Sequence, residues 1–281
     1  PLFRSDAYPV LIFGIGPFPE LGVSGAAAAT VTAQALVSLL FFKAVLREKV
    51  LFPHLRLWVL VPVKVWREIV RIGVPSAVQN LIYAGISMIL TRLITGWGDL
   101  AVAAQRVGSQ IESVSWMVGD GFSAAVNAFL GQNYGAKRYD RVRRGYFCAI
   151  AMTAAWGLCT TFLLIGMARP LFSIFLQEEE VMAIGVNYLR IVGLSQMFMM
   201  VEQTSIGAFS GLGRTLYPSI VSVTFTSARI PVAVLLSSVM GLSGIWWALS
   251  ISSMVKGCIL FVSFVVFLYV FLERKKDEKT V

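Results

Sequence analysis

Residues Asn127–Gly145 read NAFLGQNYGAKRYDRVRRG, and what this stretch is decides the fold of the chain. A long apolar run ends here, a Gly-Gln-Asn-Tyr-Gly-Ala-Lys corner follows, and a burst of arginines closes it. Such a corner suits a phosphate-gripping loop, the basic arm of a nucleic-acid binder, or a turn between two membrane spans. A phosphate loop needs four residues between its glycines, a lysine directly after the second and then Ser or Thr. Between Gly131 and Gly135 there are only Gln132, Asn133 and Tyr134; Ala136 precedes Lys137, and Arg138 follows. Glycines that let the chain leave a helix sharply are the simpler account of the corner.

Composition decides between the other two. Of 281 residues, 57% are hydrophobic and only 14% charged, with mean hydropathy +0.76. Soluble domains carry about a quarter charged residues. Seven apolar stretches are each long enough to cross a bilayer: 22–46, 66–95, 99–131, 141–168, 181–209, 214–240 and 243–272. An eighth, 8–16, has the look of a helix tail. None shows the alternation of a membrane barrel strand. Backbone groups in hydrocarbon must bond internally, so the spans are expected to be helices. The chain opens on Pro1 without a signal-peptide pattern and reads as a fragment whose beginning lies upstream.

The net charge is +9, but its distribution matters more than its size. Most lysines and arginines fall on alternate connections: the linker with Lys43, Arg47, Lys49, Arg56, Lys64, Arg67 and Arg71, the corner Lys137–Arg144, Arg214, and the tail Arg274–Lys279. The opposite connections, such as GIGPFPELG and ARPLFSIFLQEEE, hold one arginine, Arg169. That is the positive-inside pattern, with the basic side and the C-terminus cytoplasmic. The arginines fix topology and can touch anionic lipid. Split among separate turns, they make no groove for nucleic acid.

The expected architecture is an all-α polytopic membrane protein with seven full transmembrane helices plus a partial one. Residues 1–46 end one bundle, 47–65 form a cytoplasmic linker, 66–272 form a six-helix lobe, and 273–281 a basic tail. A six-helix unit after a long linker suggests half of a duplicated transporter.

Enzyme chemistry fails on geometry. Asp99 and Asp140 resemble an intramembrane aspartyl pair, but the charge pattern puts them about 30 Å apart on opposite faces. Ser24, in Gly22-Val-Ser-Gly25, would need a base at its own depth, and the only histidine, His54, lies on the other side. Cys148, Cys159 and Cys258 have neither metal-ligand nor disulfide-framework spacing, and are expected to be small core residues. No catalytic or metal site is expected.

Six blocks occur in the order seen in multidrug and toxin extrusion (MATE) transporters: ELGVSGAAAATVTAQ, RIGVPSAVQNLI, FLGQNYGAKRYDRVRRG, GAFSGLGRTLYPSI, ARIPVAVLL and GLSGIWWALSIS. The chain resembles that family from about residue 9 to 272; residues 1–8 match poorly. The resemblance implies the C-terminal lobe, with the end of the N-terminal lobe, of a twelve-helix exporter coupled to inward sodium or proton flow, with no other cofactor. In the family's sodium-coupled branch two helices of this lobe each carry an acid. Aligning the blocks puts Tyr83 and Met199 at those places, so that site looks absent here.

Intramembrane polar groups usually face the bundle interior or a wet cavity. Asn80, Tyr83 and Ser87 form one stripe on their helix; Gln105, Glu112, Trp116, Gly119, Ser123 and Asn127 form another. Either stripe lines a cavity or is interhelical glue. Glu112 either pairs with a basic residue on another helix or binds a proton or a cationic drug. Glu202, with Gln196, Phe198 and Met199 nearby, suits lipophilic cations, because sulfur and aromatic surface hold an apolar body while the carboxylate offsets its charge. Arg229 with Pro231 is expected to break its helix, and Arg229 and Lys256 to serve as interior ion-pair partners.

The implied function is a cation-coupled antiporter of lipophilic, often cationic drugs or metabolites, in the plasma membrane and most simply a bacterial inner membrane. Its partners would be membrane lipid and the preceding lobe. A lipid-linked precursor flippase, with a larger and more cationic cavity, and a non-transporting membrane scaffold are the alternatives.

Overall fold

A computed structural model describes residues 22–47, 62–176 and 178–272. The expected partial span 8–16, His54 and most of the linker, and the tail 273–281 lie outside them. All elements among the described residues are helical. The chain divides into two units, residues 1–62 and 63–281. The first contributes α1, Gly22–Arg47. The second holds α2 (Val63–Thr95), α3 (Asp99–Gly135), α4 (Tyr139–Gly166), α5 (Ala168–Ser173), α6 (Glu179–Gly193), α7 (Gln196–Gly211), α8 (Leu216–Met240) and α9 (Leu242–Phe267), which ends in a π turn, Leu268–Leu272.

By length and composition, five of the described helices can cross a membrane: α1, α2, α4, α8 and α9. The stretch 181–209 was expected as one span but is the pair α6 and α7, bent by 50°; counted as one, it makes six. The 37-residue α3 is long enough but is not among the helices apolar enough to cross by composition. Outward-facing apolar side chains such as Leu81 and Met88, both 74% exposed, suit lipid rather than water. The chain is a multi-pass membrane protein. Contrary to the expectation of core thiols, Cys148, Cys159 and Cys258 are all exposed. A thiol is apolar enough to face lipid as readily as a core.

Contacts near the turns show that the start of α2, the Lys137–Arg144 corner, Arg214 and the end of α9 share one end of the second unit. Thr215 donates its hydroxyl to the Ile72 carbonyl at 2.9 Å. Arg143 donates to the Tyr269 hydroxyl at 2.8 Å, and the Arg214 guanidinium lies 4.7 Å over the Phe267 ring. At the other end Trp97 packs beside Gly241, and Asn187 donates to Ser243 at 2.7 Å. Alternation of ends, read from charge, is therefore built into the packing.

The Lys137 corner is sharper than its glycines suggest. Gly135 is still helical, and the left-handed residue is Lys137, with φ 57. The Arg138 N–H reaches the Asn133 carbonyl and the Lys137 N–H the Tyr134 carbonyl, both at 2.9 Å. This is a Schellman closure with lysine where glycine is usual. The equivalent closure after α7 has Gly213, φ 69. Left-handed backbone costs a lysine about 1–2 kcal/mol, and glycine's extra unfolded-state entropy offsets part of that. Lys137→Gly should stabilise the full-length protein by about 0.5 kcal/mol, seen as a higher unfolding midpoint in detergent. Lys137→Val should lower it.

The break between α6 and α7 frees carbonyls that hydrocarbon would leave unpaired. Hydroxyls from three helical neighbourhoods take them up. Ser250 on α9 donates to the Ile191 carbonyl at 2.9 Å, Ser195 to that of Val192 at 2.8 Å, and Thr161 on α4 to that of Gly193 at 2.9 Å. By contrast, α8 runs unbroken through Pro231, against the expected break, and α9 runs unbroken through Lys256.

Where α3 crosses α7 near the basic end, small residues permit close approach. A Cβ on Gly211 would stand 2.5 Å from the Asn127 carbonyl oxygen, and one on Gly131 would stand 2.9 Å from that of Gly211. Thus α7 sits at the centre, packed by α3, α4 and α9. Apolar clusters close both ends: Val126, Leu130, Tyr146, Phe209 and Phe264 at the basic end, and Ala104, Phe172, Leu189 and Trp246 at the other.

Candidate functional site

Between those apolar ends the bundle is polar. Helix α2 packs mainly on α8 and touches α3 only lightly, while α3 packs on α6 and α7. A cleft is left between α2 and α3, backed by α7, α8 and α9. It holds two adjoining cavities of about 340 Å³ and 310 Å³. Tyr83, Met199, Trp116, Arg229 and Ser253 line both. The Tyr83 and Trp116 rings approach to 6.1 Å between centroids. Each volume falls in the range of small-molecule sites.

The 310 Å³ cavity is organised around Glu112, which is 8% exposed. No basic residue pairs with it among the described residues, so the interhelical ion pair, one of its two expected roles, is not what holds it. Three neutral donors do. Trp116, one turn on, donates Nε1–H to Oε1 at 3.0 Å. Gln196 donates Nε2–H to the same oxygen at 3.0 Å, and the Tyr188 hydroxyl donates to Oε2 at 3.0 Å. The bend before α7 places Gln196 for this contact. The amide oxygen of Gln196 is buried with no hydrogen-bond partner among the described residues. Leaving such an acceptor unmet costs about 1–3 kcal/mol.

The 340 Å³ cavity contains Glu202 and Lys256. Their side chains meet at 2.7 Å, buried between α7 and α9. Lys256 is thus an interior ion-pair partner, as its place in an apolar span suggested. Glu202 is thereby paired in the interior. Arg229 differs from its expectation. It donates from Nε to Ser252 Oγ and from a terminal nitrogen to Ser253 Oγ at 2.9 Å, and forms no ion pair among the described residues.

The sequence candidates divide accordingly. Asn80, Tyr83, Ser87, Glu112, Trp116, Met199 and Glu202 line the cleft. Gln196 stands behind it, holding Glu112. Asn127 does not reach it: its backbone abuts Gly211 at the helix crossing. The α3 stripe therefore serves two purposes, with Gln105, Glu112 and Trp116 on the cavity and Gly119, Ser123 and Asn127 packed on α7. Tyr83 and Met199 both border both cavities. Missed were Asp120, Gln203, Tyr188 and Ser253. Asp120 was findable, since it continues the Glu112–Trp116 four-residue step; a lone Tyr188 in an apolar span carried no signal.

The MatE family model matches residues 75–235, more than half of the chain, and those residues contain nearly all of the cleft's lining. The chain belongs to the MatE family. It is 31% identical over 250 residues to a probable multidrug resistance protein NorM of Thermotoga maritima, covering 84% of this chain and 51% of that protein. It is 29% identical over 253 residues to the probable NorM of Deinococcus radiodurans, covering 86% and 54%. The chain thus spans about half the length of the curated relatives it matches. Among solved structures, an outward-facing multidrug resistance MATE family transporter superposes with TM-score 0.85 at 19% identity, over 97% of this chain and 61% of that one. The MATE fold of these helices is shared with it.

Proposed function

We propose that this chain forms one lobe of a cation-coupled antiporter that exports lipophilic, often cationic drugs or metabolites by alternating access. The observation that carries this is the polar cleft between α2 and α3, where a buried carboxylate, Glu112, borders the Tyr83–Trp116 aromatic pair. Aromatic faces and methionine hold an apolar cation, and the carboxylate supplies the opposing charge. The names of the NorM relatives, probable multidrug resistance proteins, agree with such a substrate. On this account the chain carries solutes rather than transforming them. The second lobe of the same protein completes the route, in the plasma membrane with the basic end and C-terminus cytoplasmic.

The surroundings of Glu112 favour a proton over sodium as coupling ion. N–H and O–H donors point at both carboxylate oxygens, and their positive ends repel a metal cation that needs a shell of oxygens. Cleft charge also separates the exporter from a lipid-linked precursor flippase. Glu112 and Glu202 match Arg229 and Lys256 in number, so the buried wall is balanced rather than strongly cationic.

The test is dye efflux from cells or vesicles carrying the full-length gene product, with sodium and proton gradients imposed separately. Efflux should follow the proton gradient, and Trp116→Ala should reduce it several-fold. No efflux under either gradient would remove the export function.

A further inference from the structure

We infer that Arg229 is an anion subsite in the cleft, taking the carboxylate of an aromatic substrate. Arg229 is 7% exposed and borders both cavities. Ser252 and Ser253 orient it from α9, but hydroxyls carry no charge to offset its own. The carboxylates that line the cleft are otherwise engaged or make no ion pair with it. Glu202 is bonded to Lys256 at 2.7 Å, Glu112 accepts from three neutral donors, and Asp120, on the rim of the 340 Å³ cavity, is exposed.

A guanidinium has five N–H donors, and the two serine bonds leave others for a ligand. A fixed planar fork fits a carboxylate with two parallel hydrogen bonds. Because Lys256 is bonded to Glu202, Arg229 is the one cation lining the cleft without an ion pair among the described residues, and a single guanidinium matches a monoanion better than a phosphate dianion. Tyr83 and Trp116 border the same two cavities, so a flat apolar body attached to the carboxylate has a surface to lie on. The rival role for Arg229 is to balance Glu112 across the cleft, in which case a carboxylate ligand gains nothing from it.

This rests on the export function only in taking the cleft as the substrate route, and one set of measurements separates the two. Full-length protein in nanodiscs is titrated with 1-naphthoate, 1-naphthamide, 1-naphthyl phosphate and tetraphenylphosphonium. Wild type should bind naphthoate about tenfold tighter than naphthamide, and naphthyl phosphate no tighter than naphthoate. Arg229→Gln should lose the naphthoate preference while keeping or improving tetraphenylphosphonium binding; Arg229→Lys should restore part of the preference. Equal wild-type affinity for naphthoate and naphthamide overturns the subsite, and does so without any variant that has to fold. So does an unchanged preference in Arg229→Gln, and tighter naphthyl phosphate overturns the carboxylate assignment. Binding of tetraphenylphosphonium alone sinks the subsite and leaves export standing; binding of neither sinks both.

Discussion

Lys256→Met, with the Glu202 carboxylate kept, is expected to destabilise the full-length protein by about 3–5 kcal/mol. The double variant Glu202→Gln with Lys256→Met should recover most of that. Both groups are buried, with Glu202 6% and Lys256 5% exposed, and they meet at 2.7 Å. A buried charge stripped of its partner keeps its desolvation cost and loses the attraction that offset it, whereas removing both charges removes both terms. The geometry leaves little room for escape. A Cβ on Gly257, next to Lys256, would clash with the Phe198 carbonyl of α7, so α7 and α9 already touch and water can reach the pair only from the 340 Å³ cavity that both residues line. Equilibrium unfolding in detergent across the four-member cycle gives the coupling energy. A single variant within about 1 kcal/mol of wild type, the value of an exposed pair, would show that the pair is solvated and not structural.

The pair also shows what a sequence of this kind reveals. An acid and a lysine in two apolar spans are individually expensive, which marks both as interior; that they bond to each other is a matter of helix packing, 54 residues apart in the chain. The same distinction runs through the fold. Span positions follow from composition, because hydrocarbon admits only long apolar helices, and the shared end of the basic corners follows from their charge. The break at Leu194–Ser195 was invisible, since Gly193 and Ser195 are ordinary in a transmembrane helix. What makes the break tolerable is the hydroxyls of Thr161 and Ser250, supplied by other helices. Pro231 misled in the opposite direction. Proline removes one hydrogen bond, but helix α8 continues past it, as packed membrane helices permit. The stripes on α2 and α3 both border the cleft, but periodicity alone could not divide the α3 face. The residues on the cavity and those on the crossing with α7 share the same helical phase.

Glu112→Gln is expected to abolish the response of efflux to a proton gradient, with a loss of at least tenfold in gradient-driven transport, while leaving the fold nearly unchanged. The expectation follows from counting lone pairs. A carboxylate offers about four acceptor sites. Trp116 and Gln196 occupy the two on Oε1, and Tyr188 occupies one on Oε2. One site on Oε2 remains for a proton. A second arrangement is open on Oε1: Gln196 donates its amide N–H to that oxygen of the ionised acid and, after rotation, can accept with its unmatched oxygen from a proton carried there instead. Glutamine at position 112 keeps the shape and a carbonyl for Trp116, and the Tyr188 hydroxyl can turn to accept from the new amide. What it cannot do is gain and lose a proton. Dye efflux from proteoliposomes, with binding of tetraphenylphosphonium measured beside it, separates lost coupling from lost substrate affinity. Gradient-driven efflux unchanged in Glu112→Gln would place the coupling carboxylate elsewhere, and a collapsed unfolding midpoint would reassign Glu112 to holding α3 against α6 and α7.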